Sequence, residues 1–227
     1  MSDVAVKLFI ADASYHAVFE DEVRLWHQLR HPNVIKMYGA CDATPLPLQC
    51  FICEYASNGS LLEYVTPTPP VEQRVWSLLH QAALGLEYLH ERGIVHGDLR
   101  CSNILIGSEG LSKLANFTRS AKVGQTAISS RVGSMRWQAP EISDGKTLSF
   151  ASDVYSLGMC ILEAVARAMP WKYRCADRYV NYFRALKSST IPGGPKNSGS
   201  AHTNWELVQQ MSAFDPEERL KISTVVD

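Results

Sequence analysis

The run His96-Gly97-Asp98-Leu99-Arg100-Cys101-Ser102-Asn103 sets a carboxylate, a guanidinium and a carboxamide within a few positions. It lies in a turn that follows a long helical stretch and precedes a strand-like one. These residue types suit phosphoryl transfer. A phosphoryl group in flight spreads negative charge over its oxygens, so the protein's work is positioning plus cation clamps, with little covalent chemistry. Lys7 ends the apolar run Val4-Ala5-Val6, and Asn116-Phe117-Thr118 brings a second carboxamide after a later strand candidate. A lysine at a strand end is by itself a solvated residue, whereas the segment from 96 to 103 is far more specific. The Cys50-x-x-Cys53 spacing has no second ligand pair and no helix N-terminus beside it, so the six cysteines read as buried free thiols.

These residues need elements to hold them. Val4, Val6, Leu8 and Ile10 alternate as in a strand, and residues 16 to 30 carry mixed three and four spacing as in a helix that His31-Pro32-Asn33 stops. Strand-like runs follow at Val34 to Tyr38 and Cys50 to Tyr55. A short helix is expected at Ser60 to Val65 and a long one at Val71 to Glu91, where Val75, Leu78, Leu79, Ala82, Leu86 and Leu89 share a face. Two short strands, Ile104 to Ile106 and Lys113 to Ala115, lead into a Ser/Thr/Gly-rich loop that ends near Trp137. Helices are expected at about Ser152 to Arg167 and from near Trp205, with an exposed loop at Ser188 to Thr203 between them.

Composition removes several functions. With 22 Lys+Arg against 23 Asp+Glu among 227 residues, no global field draws the chain onto nucleic acid or an anionic membrane. Glu163 and Arg167 interrupt the longest apolar stretch, which falls short of the roughly 20 apolar residues a bilayer span needs. The opening residues lack a secretory signal pattern, which fits a cytoplasmic chain, although a parent protein could be anchored through an upstream segment.

Further blocks stand in register with the first: Gly133-Ser-Met-Arg-Trp-Gln-Ala-Pro-Glu141, Ser152-Asp153-Val154-Tyr155-Ser156-Leu157-Gly158 and Asp215-Pro-Glu-Glu-Arg219. In order and spacing they resemble the eukaryotic protein-kinase family, and the tyrosine-kinase-like branch of serine/threonine kinases looks closest. The resemblance implies an α+β, bilobal fold over residues 1–227. A small antiparallel-sheet lobe would end near residue 55, and a mainly helical lobe would span 56–227.

It also implies roles. Lys7 would hold the α- and β-phosphates of ATP and be oriented by Glu22. Asp98 would orient the acceptor hydroxyl and take its proton, Arg100 would face the γ-phosphate, and Asn103 and Asn116 would ligate Mg²⁺, or Mn²⁺ in its place. Ala5 and Leu105 would sandwich the adenine, with Cys53 behind it and the backbone of Glu54, Tyr55 and Ala56 as hinge. Ser134 resembles the small hydroxyl residue of hydroxyl-directed kinases. Trp26, Met37, His96 and Phe117 match an apolar column between the lobes, Glu141 and Arg219 a buried ion pair, and Asp153 the carboxylate that caps the catalytic-loop backbone.

Three departures bear on activity. Only six residues precede Lys7, so the family's Gly-rich phosphate loop is missing and the small lobe is expected to be incomplete. Asp-Phe-Gly reads Asn116-Phe117-Thr118, which replaces a carboxylate by a neutral carbonyl oxygen toward a hard dication. Gly97 replaces the arginine that receives an activation-loop phosphate, despite the nearby hydroxyls of Thr126, Ser129 and Ser130. The expected function is ATP-dependent phosphorylation of protein Ser/Thr hydroxyls with reduced activity. The alternative is a pseudokinase scaffold or allosteric module acting on a signalling partner.

Overall fold

The computed structural model describes residues 3–10, 16–42, 48–67, 72–124, 135–170 and 200–227. Three strands, β1 (Val4–Ile10), β2 (Met37–Asp42) and β3 (Leu48–Glu54), form an antiparallel sheet in the order β1-β3-β2. Helix α1 (His16–Trp26) packs its aromatic face on the central strand, with Phe19 stacked on Phe51 at 4.8 Å and Trp26 at 5.5 Å from the same ring. The helix ends at Trp26, four residues before the end its spacing predicts, because the chain turns at His27 and sends Leu29 into the core. On β1 the alternating set Val4, Val6 and Leu8 is the outward one, about half exposed, and Ala5, Lys7 and Phe9 point the other way. The apolar side chains yield the inner face because that is where the lysine has polar partners.

Val34 to Tyr38 is not one strand. Val34 makes an isolated bridge to Leu114, and β2 begins only at Met37 and runs on to Asp42. The short helix α2 (Leu61–Val65) starts where expected for a local reason. Ser60 accepts from the Glu63 N–H at 3.3 Å and the Glu63 carboxylate accepts from the Ser60 N–H at 2.8 Å, a capping box that satisfies two helix-end donors.

Helix α3 (Glu72–Glu91) buries all six residues of its predicted face. Side chains such as Leu78 and Leu86 contribute about 1.5–3 kcal/mol each by leaving water. Gly85 lies against the carbonyl of Asn33, so a Cβ there would collide with backbone. That approach lets Asn33 bond Ser112 O at 2.9 Å and accept from the Leu114 N–H at 2.9 Å, tying the turn before the sheet to the segment after the catalytic loop.

The second half is helical with short ribbons. Strand β4 (Ile94–Val95) leads into the catalytic-loop segment and a 3-10 turn at Cys101–Asn103, and β5 (Ile104–Ile106) pairs antiparallel with β6 (Ser112–Leu114). Strand β7 (Ala121–Lys122) pairs with β4, a contact with no sequence signal at two residues' length. Then come α4 (Pro140–Ser143), α5 (Phe150–Ala166), α6 (Ser200–Met211) and α7 (Ile222–Val226). Helix α5 begins two residues before the expected Ser152 because Ser149 caps it. Helix α6 begins five before Trp205 and takes in the last four residues of the expected 188–203 loop, whose remainder lies outside the described residues.

The five described cysteines are free, but the expected burial holds only for Cys53, Cys101 and Cys160: Cys41 is exposed and Cys50 half-buried. No helix among the described residues is long and apolar enough to cross a membrane. A small antiparallel sheet with one helix, followed by a mainly helical body, is the expected α+β arrangement.

Candidate active site

Asp153, near the start of α5, fixes the backbone of the catalytic loop. Its carboxylate accepts from the His96 N–H at 2.7 Å and the Gly97 N–H at 2.9 Å, and His90 Nε2 reaches it at 3.0 Å. Glu163, one side of the same helix further along, accepts from the Cys101 N–H at 3.0 Å and the Trp137 indole at 2.8 Å. Both carboxylates are buried and spend their charge on otherwise orphaned donors. Asp153 matches its expected place. Glu163 carried no sequence signal beyond interrupting an apolar run.

His96 is fully buried. The Asp98 N–H donates to its Nδ1 at 3.2 Å, so the ring proton sits on Nε2 and is offered to Ala115 O at 3.2 Å. Burial pulls its pKa below the ordinary 6.5, against the opposing pull of Asp153 and Asp98. The folded protein therefore keeps His96 neutral where the unfolded chain takes a proton. Above pH 6.5 neither state is protonated there and nothing is lost. As pH falls below that value, stability drops by up to about 1.4 kcal/mol per unit until the folded pKa is reached. Urea midpoints from pH 7.5 downward should fall more steeply for the native chain than for His96→Gln, and equal slopes would contradict this assignment.

Asp98 is buried, with its Oδ2 accepting from Asn103 Nδ2 at 3.0 Å and Asn116 Nδ2 at 3.3 Å. Asn103 Nδ2 also meets the Asp98 carbonyl at 2.7 Å. Arg119, which sequence reasoning passed over although it directly follows Thr118, brings Nη1 to 3.9 Å from Asp98 Oδ1. Gly97 adopts φ +76°, and a Cβ there would meet the Arg119 carbonyl and the Leu148 side chain. The same tight fit that excludes an arginine side chain at 97 admits one from 119. Arg100 is half-buried with its Nε unpartnered.

Lys7 reaches this cluster from across the molecule, donating from Nζ to Asn116 Oδ1 at 3.0 Å. The expected ion pair of Lys7 with Glu22 does not form. Glu22 Oε1 is buried without a hydrogen-bond partner. Burial raises the Glu22 pKa, with the nearby Lys7 charge pulling it back down. The physical reason is competition: the Asn116 side-chain oxygen takes the ammonium at 3.0 Å, from a residue in the left-handed region at φ +68°, which an Asn tolerates. Thr118 Oγ1 stands 3.1 Å from that same oxygen.

The aromatic column is present: Phe117 lies 5.5 Å from Trp26 and 5.4 Å from His96, and Met37 is buried in the same core. On the proposed adenine side, Ala5 and Cys53 are cross-strand partners, Ala5 and Leu105 are half-buried, and Cys53 is buried with its thiol pKa pushed up by desolvation. The Glu54 side chain is engaged elsewhere, with Lys113 Nζ at 2.7 Å and the Lys36 N–H at 3.3 Å, and its own N–H goes to Lys36 O. Tyr55 is exposed and Ala56 half-buried. Ser134, Thr126, Ser129 and Ser130 lie outside the described residues.

Asn116 does not fit the divalent cation well. It is neutral, and its oxygen already takes the Lys7 ammonium with the Thr118 hydroxyl beside it. Asn103 gives Asp98 its amide nitrogen, and a cation would take its carbonyl oxygen. A hard dication favours carboxylate oxygen.

The far side of the helical body holds the expected ion pair. Arg219 Nη1 and Nη2 meet the two Glu141 oxygens at 2.6 and 2.7 Å, buried together. Across the family, the sequence pattern described as the protein kinase domain matches residues 2–227. This chain is a member of that family. Similar kinases include the serine/threonine/tyrosine-protein kinase HT1 of Arabidopsis thaliana, 34% identical over 92% of this chain and 53% of its own. The mitogen-activated protein kinase kinase kinase ANP1 of the same plant is 33% identical over 76% of this chain and 26% of its own. Cell division control protein 7 of Schizosaccharomyces pombe is 32% identical over 92% of this chain and 19% of its own. The kinase chain thus spans about half or less of the length of these relatives. They bear out the resemblance to serine/threonine kinases of the tyrosine-kinase-like branch, a family whose members use ATP and Mg²⁺.

Proposed function

We propose that this domain transfers the γ-phosphoryl group of ATP to Ser/Thr hydroxyls of a protein substrate, at low turnover. The observation that carries the reading is the convergence of Lys7, Asp98 and Asn103, with Asn116 as the bridge: it accepts from Lys7 and donates to Asp98. Asp98 takes the proton of the acceptor hydroxyl while the new O–Pγ bond forms and the bond from Pγ to the β-phosphate oxygen breaks, releasing ADP. Asn103 keeps the Asp98 carboxylate aimed, and Lys7 and Arg100 supply positive charge to the phosphates. Ala5, Leu105 and Cys53 enclose the adenine, and backbone groups of the 54–56 segment hold its edge. Residues 1–55 form the small lobe and 56–227 the larger lobe. Free thiols fit a reducing, cytoplasmic setting.

The test is transfer of labelled phosphate from ATP to a generic protein acceptor, with Mg²⁺ or Mn²⁺ supplied, by the full-length protein and its Asp98→Asn variant. Activity well above the variant supports the reading, and equal activity overturns it. One observation favours the second reading, a pseudokinase that acts by binding a signalling partner: the oxygen of Asn116 is engaged inside the protein. Equal activity in the two proteins is its expected result.

A further inference from the structure

The charge and hydrogen bonding around Asn116 differ from those of a site built around a metal. A polyphosphate needs a divalent cation where its charge would otherwise face carboxylates, because like charges at close range repel strongly in a partly desolvated cleft. Here a carboxamide stands between Lys7 and Asp98. Its oxygen is satisfied by Lys7 Nζ at 3.0 Å, and its nitrogen lies 3.3 Å from Asp98 Oδ2. Lys7 is held by that neutral oxygen and makes no ion pair with Glu22, so its ammonium can turn to a phosphate without breaking a charged pair. Arg119, 3.9 Å from Asp98, adds a second cation close by. With a neutral carboxamide where a carboxylate would add negative charge, Lys7 and Arg119 leave this cluster favourable to an anion.

We infer that this site binds the triphosphate of a nucleotide without a divalent cation, its affinity for ATP being uncoupled from Mg²⁺. The inference rests on the nucleotide-binding reading above and deepens it: the cation bears on turnover, while binding depends on Lys7 and Arg119. Thermal unfolding of the full-length protein across an ATP series, once in EDTA and once with Mg²⁺ in excess, separates the two. Ligand that binds only the folded state raises the melting temperature with its concentration, so each series reports an apparent Kd.

The expected result is a rise in both buffers, with the two Kd values agreeing within about threefold. Binding more than about threefold tighter with Mg²⁺, or a rise seen only with Mg²⁺, overturns the inference and leaves nucleotide binding standing. No rise in either buffer overturns the nucleotide-binding reading itself. Two variants localise the effect, each checked for native-like circular dichroism. Lys7→Met should lose the rise in both buffers, and a rise that persists would place the nucleotide elsewhere and sink the proposal. Asn116→Asp, which puts a carboxylate beside Asp98, should make binding depend on Mg²⁺ by about tenfold or more, and continued indifference to the cation counts against the role given to the carboxamide.

Discussion

Replacing Arg219 by alanine should destabilise the domain by about 3–5 kcal/mol, a large part of the roughly 5–15 kcal/mol that a domain of ordinary stability has. Its guanidinium makes both bonds of a fork to Glu141, at 2.6 and 2.7 Å, and the side chain is fully buried. The remaining donors are used as well: Nε goes to Ala213 O at 2.7 Å, Nη1 to Ala151 O at 3.1 Å and Nη2 to Phe214 O at 3.1 Å. Removing it takes these donors from a buried carboxylate and from the carbonyls of Ala213 and Phe214, while that of Ala151 keeps its helical bond, and the loss outweighs the modest net worth of the pair itself. Tyr155, whose ring lies 5.1 Å from the guanidinium, borders the resulting hole. Equilibrium urea unfolding checks the size. Arg219→Lys should recover only part of the loss, since an ammonium cannot make the planar fork. A cost under about 1 kcal/mol for Arg219→Ala would mean that solvent reaches Glu141, contrary to the burial seen.

Asn116→Asp should raise the Mg²⁺-dependent phosphotransfer rate by roughly a hundredfold, or about 3 kcal/mol at the transition state. The new carboxylate keeps an acceptor for Lys7 and Thr118 and adds the charge that a hard dication prefers. It also loses the donation to Asp98, so two carboxylates would face each other across the 3.3 Å now spanned by a hydrogen bond. The variant should therefore melt below the native protein in EDTA and regain that loss when Mg²⁺ is added. Rates measured side by side at saturating ATP decide the first point, and melting curves the second. An unchanged rate would show that the missing carboxylate does not limit turnover, and would shift weight to the pseudokinase reading.

Much of this was readable from the chain. The α3 face, the capped start of α2, the carboxylate at 153, the fork of Glu141 with Arg219 and the neighbourhood of Asp98 with Asn103 depend on periodicity, local capping chemistry or short fixed spacing. What resisted reading depended on distance and competition. Arg119 looked like any loop cation until the fold set it beside Asp98, and Glu163 like a flaw in an apolar helix until two buried donors were found aimed at it. Glu54, read as part of a hinge, has its side chain held by Lys113, 59 residues on, a pairing without a local signal.

The sequence by itself determined the family, and it put the run from His96 to Asn103 and the Asn at 116 in the family's register, since each is a matter of residue type at a set spacing. Only the tertiary structure decided which partner Lys7 takes. Glu22 and Asn116 both lay within reach of an ammonium on β1, and a spacing of 15 or 109 residues does not say which oxygen will be closer. Asn116 Oδ1 is the oxygen that Lys7 reaches, and Glu22 Oε1 is left buried without a hydrogen-bond partner. The cation that a sequence pattern pairs with a carboxylate was thereby bound to a neutral amide.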